Sequence, residues 1–81
     1  MLRSINRFIN DKRFYININN EYINIVNFEN IVILEENKVV VIGDLKKFSI
    51  KGSNISINKL LDDELLISGN FSSIEIGDQY V

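Results

Sequence analysis

The sequence has no cysteine, no histidine, no tryptophan, no proline and no alanine. Without Cys or His it has no disulfide scaffold, no zinc finger, no thiol nucleophile and no Ser-His-Asp triad. A metal site built from what remains would be all-oxygen, of the calcium or magnesium kind. The longest apolar runs are four or five residues, far below the ~20 that a membrane-spanning helix needs. There is also no apolar core of a signal peptide, so the expectation is a chain that starts at Met1 and stays in the cytoplasm. The missing alanine, set against 15 isoleucines, favours strand over helix. What is present is 81 residues, 46% of them hydrophobic. That predicts one domain, close to the smallest that buries a useful core, for which self-association would be a help.

Charge is scarce and unevenly placed. The net charge is −2. Residues 1–13 carry Arg3, Arg7, Lys12 and Arg13 against Asp11, a net of +3, and residues 14–81 carry five lysines against ten acids, a net of −5. All three arginines lie in the first segment. An acidic body without arginine is a poor binder of polyphosphate, so no nucleic-acid partner is expected. The 12 asparagines are given little individual weight at this point.

The apolar pattern divides the chain into a basic amphipathic segment, 1–12, and an antiparallel β domain, 13–81. Leu2, Ile5, Phe8 and Ile9 share a helical face with Arg3, Arg7 and Lys12 mostly elsewhere, which predicts a short helix over about 2–10. That helix packs on the sheet, or it anchors the chain to an anionic membrane or acidic partner. Strands are predicted near 13–18, 22–27, 31–35, 38–43, 47–51, 54–58, 65–68 and 71–76. Turns are expected at Asn19-Asn20, Glu36-Asn37, Gly43-Asp44, Gly52-Ser53 and Gly69-Asn70.

The first turn would set Ile16 opposite Ile23, with Tyr15, Asn17, Tyr22 and Asn24 on the other face. In the hairpin over 31–42 every flanking position is apolar, so both faces need cover, and one of them is expected to meet another chain. Ile31, Ile33, Val40 and Ile42 would share one face and Val32, Leu34, Val39 and Val41 the other. The expected core is Ile16, Ile23, Ile33, Val41, Phe48, Ile50, Ile55, Ile57, Leu65, Ile67 and Ile74. Two stretches, FSIKGSNISI and LLISGNFSSIEI, echo each other as strand, glycine, strand. The fold expected is all-β: a small single-domain antiparallel meander, roll-, sandwich- or barrel-like, with a short N-terminal helix.

Candidate chemistry is thin. Asp62-Asp63-Glu64 lacks the alternating ligands and glycine of an EF-hand loop and reads as a solvated turn. The glycines follow strands, and none opens a helix as a phosphate loop would. Lys46, Lys47 and Lys51 form the one basic patch of the body, but the pattern turns Phe48 inward, away from any stacking platform. No acid–base couple or activated nucleophile stands out, so no enzyme, cofactor, metal or small-molecule substrate is expected. The candidate contact residues are Arg3, Arg7, Lys12, Arg13, Tyr15 and Tyr22. The two tyrosines either sit exposed among amides, as a binding face would have them, or lie beneath the N-terminal helix.

The order of strand motifs over 13–76 resembles the YabP/YqfC family of small proteins from endospore-forming bacteria. The segments that carry the resemblance are RFYINI, INIVN at 23–27, ENKVVVIG, FSIKG, SNISINKL, LDDE, LLISG and NFSSIEI. The chain departs from the family pattern at Asn19, where a Gly is frequent, at Asn27-Phe28, where Asn-His is usual, and at Ile76, where Tyr is common. The resemblance implies a sporulation protein of the mother cell, acting with a membrane protein, and defines no catalytic residues. The function expected is therefore a non-enzymatic, sporulation-associated interaction module with a membrane-protein partner, cytoplasmic on the mother-cell side and peripheral to a membrane. The alternatives are a self-assembling β protein that forms oligomers or filaments, and a small β-barrel that binds nucleic acid.

Overall fold

The computed structural model describes residues 13–78. They form six strands: β1 (Tyr15–Ile18), β2 (Tyr22–Val26), β3 (Asn30–Glu35), β4 (Lys38–Gly43), β5 (Lys46–Leu60) and β6 (Glu64–Asp78). All pairs are antiparallel, in one sheet of order β1-β2-β6-β5-β4-β3. The helix expected over 2–10 lies outside the described residues, as do Arg3, Arg7 and Lys12.

Eight strands were expected and six are found, because two of the glycine turns do not exist. The chain runs straight through Gly52-Ser53 and through Gly69-Asn70, giving two strands of 15 residues that pair with each other. The tight connection is the acidic stretch after Leu60, where the Leu61 N–H donates to the Glu64 carbonyl at 2.8 Å. The glycines mark a corner instead. The β5–β6 register shifts between Lys51 and Gly52, again between Ser53 and Ser56, and again between Ile57 and Lys59. Such bulges bend a strand and raise its twist. Each glycine lets the other strand's backbone come close: a β-carbon at Gly52 would fall on the Asn70 carbonyl oxygen, and one at Gly69 would sit 2.8 Å from the Asn54 carbonyl oxygen. Gly69 also has φ 147°, which an L side chain rarely adopts. The two echoing segments are therefore the two arms of one crossed corner.

The corner divides the sheet into two halves that share the long hairpin. β2 pairs with β6 over Glu64–Ser68, and β4 pairs with β5 over Lys46–Lys51. The sheet rolls so that both halves contribute to one core: Ile23 and Ile25 of β2, Leu65 and Ile67 of β6, Val39 and Val41 of β4, and Ile50 and Ile55 of β5. Phe14, just before β1, reaches across to lie over Gly43 and against Phe48, with ring centroids 5.0 Å apart. In a flat sheet of this order Phe14 and Phe48 would be several strands apart. The turn of the β3–β4 hairpin caps the corner, with the Gly52 and Ile55 N–H groups donating to the Asn37 and Glu36 carbonyls at 3.1 and 2.8 Å.

Two registers differ from expectation. The β1–β2 hairpin pairs Ile16 with Ile25 and Ile18 with Ile23, two residues from the expected alignment. The Asn19 side chain lengthens the turn, its Oδ1 accepting from the Glu21 and Tyr22 N–H groups at 3.1 and 2.9 Å. A slip of two leaves every side chain on its expected face. In the β3–β4 hairpin a bulge at Val32 pairs Ile31 with Val41 rather than Ile42. Ile31 thereby joins Leu34, Val39 and Val41 on the core side, and Val32 is left exposed. β4 is covered on both faces, as its composition demanded, but Val40 on the outer side is 3% exposed within the single chain. Covering Val40 requires no second chain. Of the expected core, two residues fall outside it: Ile33, half-buried opposite Val40 on the outer side, and Ile57, at 51% exposed. Ile57 lies in the part of β5 beyond the corner, where β4 no longer pairs and the strand forms an edge.

Candidate functional site

Alternation places Tyr15, Asn17, Tyr22 and Asn24 on one face, and the register supports it, with Asn17 opposite Asn24 and Tyr15 opposite Val26. This is the outer face of the half made by β1, β2 and the ends of β5 and β6. Both tyrosines are exposed. They stand at opposite ends of the hairpin, on either side of the Asn17–Asn24 pair, so the face carries them without joining them. Arg13 is exposed, and its carbonyl accepts from Asn27 Nδ2 at 2.7 Å. Asn27, at φ 63°, also donates its N–H to Asp63. It ties the entry to β1 to the β5–β6 turn.

Below Tyr22 lies an open depression of about 480 Å³, lined by Asn17, Ile18, Asn19, Tyr22, Asn24, Asn58 and Leu66. Its floor follows the sheet from strand to strand. Asn17 of β1 is opposite Asn24 of β2, Asn24 is opposite Leu66 of β6, and Leu66 is opposite Lys59 of β5, beside Asn58. The bulge between Ile57 and Lys59 is what adds Asn58 to this face. Asn24 Nδ2 donates to Glu64 Oε2 at 3.0 Å, and Lys59 Nζ meets the same oxygen at 3.5 Å. Asn24 Oδ1 is buried and has no hydrogen-bond partner among the described residues.

Sequence reasoning found the hairpin side of this site and missed Asn58, Glu64 and Leu66. The Asn24–Glu64 bond spans 40 residues, and no local pattern announces it. Of the basic patch, Lys46 pairs with Asp78 at 3.7 Å and Lys51 with Glu75 at 3.8 Å. Those lysines form cross-strand ion pairs with the acids of β6. Among the described residues no group of three or more acidic side chains is placed to hold a metal ion, and no helix is long and apolar enough to cross a membrane. No family model, no curated protein and no solved structure matches the chain.

Proposed function

We propose that this chain is a non-catalytic interaction module of the YabP/YqfC kind, acting in the mother cell of a sporulating bacterium and docking on a membrane-protein partner. The observation that carries the reading is the uneven distribution of exposed apolar surface. Among the described residues, six of the nine exposed large hydrophobic side chains, Tyr15, Ile18, Tyr22, Ile57, Leu60 and Leu61, belong to β1, β2 and the end of β5 with its turn. Only Val32, Leu45 and Ile76 lie elsewhere. Apolar and tyrosine side chains gathered on one half of a small domain suit a protein interface.

The test is photo-crosslinking in a sporulating host, with a photoreactive residue at Leu60 and, as control, at Leu45 on the opposite half. The reading expects an adduct with a membrane protein from position 60 and none from position 45. Adducts only between copies of the chain would overturn it in favour of self-assembly. One feature favours that second reading: β6 pairs with β2 only as far as Ser68, which leaves Phe71–Asp78 as a free edge among the described residues. Such edges invite another strand.

A further inference from the structure

We propose that the depression crossing β1, β2, β6 and β5 is a binding site for an uncharged saccharide. Its polar groups set the class of ligand. Asn24 is held in one orientation by the Glu64 carboxylate, which leaves its buried Oδ1 as an acceptor without a donor. A buried acceptor calls for an N–H or O–H group. Asn17 and Asn58, both exposed on the rim, each offer a donor and an acceptor. A sugar hydroxyl also donates and accepts, so a row of amides and a row of hydroxyls are complementary. Leu66, on the same face as Asn24, and the Tyr22 ring give apolar surface for the C–H face of a pyranose.

Charge and direction exclude the competing classes. The ionised groups beside the row, Glu64 and Lys59, neutralise each other, so nothing is left to hold a phosphate or an ammonium group. The row runs across the strands rather than along them, over three inter-strand spacings of ~4.8 Å, or about 14 Å. A peptide adding to a sheet follows a strand edge through its backbone and would not follow this line. Two linked sugar rings would. The site shares Ile18 and Tyr22 with the proposed docking surface, but Tyr15, Ile57, Leu60 and Leu61 are not part of its lining, so crosslinking at position 60 and a sugar titration test the two readings separately.

The experiment is an amide-resolved NMR titration of the full chain with cellobiose and with di-N-acetylchitobiose, which adds acetamido N–H donors. The expected result is saturable shifts, with at least one of the two sugars, confined to Tyr22 and the side-chain amides of Asn17, Asn24 and Asn58, at a Kd of roughly 1 mM or tighter. Asn24→Leu should weaken binding about tenfold or more. Asn17→Ala and Asn58→Ala, at exposed positions that leave the fold intact, should each weaken it roughly threefold. They carry the test if Asn24→Leu does not fold. Shifts that never saturate would overturn the proposal and leave solvent as the only occupant. So would shifts centred elsewhere, or binding indifferent to all three substitutions.

Discussion

At the scale of single residues, positive φ is where side-chain identity is decided. Asp44 and Leu45 connect β4 to β5 with φ 54° and 65°, a two-residue turn that needs left-handed backbone at both positions. Asp tolerates that conformation. Leu does so at a cost of about 1–2 kcal/mol, and Leu45 gains nothing in return, being 70% exposed. Leu45→Gly restores an Asp-Gly turn. After the added backbone entropy of glycine it should stabilise the chain by about 0.5–1 kcal/mol, raising Tm by roughly 2–8 °C. A thermal melt with Tm unchanged or lower would show that the turn carries no such strain. The asparagines, unremarkable as a count, acquire roles here. Asn27 and Asn54 take φ 63° and 55°, and Asn19 closes its turn with its own side chain. The turn at Asn19 was expected, but the roles of Asn27 and Asn54 were not legible, because composition does not say where the backbone turns left-handed.

At the scale of elements, the long β5–β6 hairpin decides the fold, and it is where the sequence misleads. Gly-Ser and Gly-Asn between alternating apolar residues signal a hairpin turn, but the same residues serve a bulged corner in which two backbones nearly touch. Local chemistry does not separate these outcomes. The choice depends on pairings between β2 and β6, which are distant in sequence. By contrast, the hairpin turn at Glu36-Asn37 joins neighbouring strands and was legible, and the turn expected at Gly43-Asp44 falls one residue later, at Asp44-Leu45, because Gly43 pairs with Lys46.

The same division runs through the candidate site. Tyr15, Asn17, Tyr22 and Asn24 were placed on one face by their alternation, which survives a two-residue slip of register. Leu66 and Asn58 reach that face only through the long hairpin. The corner also predicts a contrast between glycines. Gly52→Ala would drive a β-carbon onto the Asn70 carbonyl. The corner must open, at a cost of about 1–3 kcal/mol, with loss of amide protection at Ile55. Gly77, whose β-carbon would meet nothing within 4 Å, should accept alanine with a gain of up to about 1 kcal/mol. Equal denaturation midpoints for the two variants would contradict a close-packed corner.

At the scale of the molecule, the core and the charge are carried by different parts of the chain. Among the described residues the nine buried hydrophobic side chains run from Ile23 to Ile67, and Phe14 reaches across the open sheet to pack against Gly43 and Phe48. Arg3 and Arg7 stand ahead of all of these in sequence. Removing residues 1–10 takes away those two arginines and no acid, moving the net charge from −2 to −4. On burial grounds the truncated chain should keep its far-ultraviolet β signal and its melting cooperativity, because no buried residue of the sheet is deleted. On electrostatic grounds it should lose any affinity for an anionic surface, since the remaining body is acidic and its Lys46, Lys51 and Lys59 are tied to carboxylates. Co-sedimentation with vesicles containing phosphatidylglycerol, run at low salt beside circular dichroism, reads both quantities. Retained fold with lost sedimentation is the expected pair. A truncation that abolishes the β signal would make the first ten residues part of the folding unit, and the basic segment would no longer stand as a separate anchor.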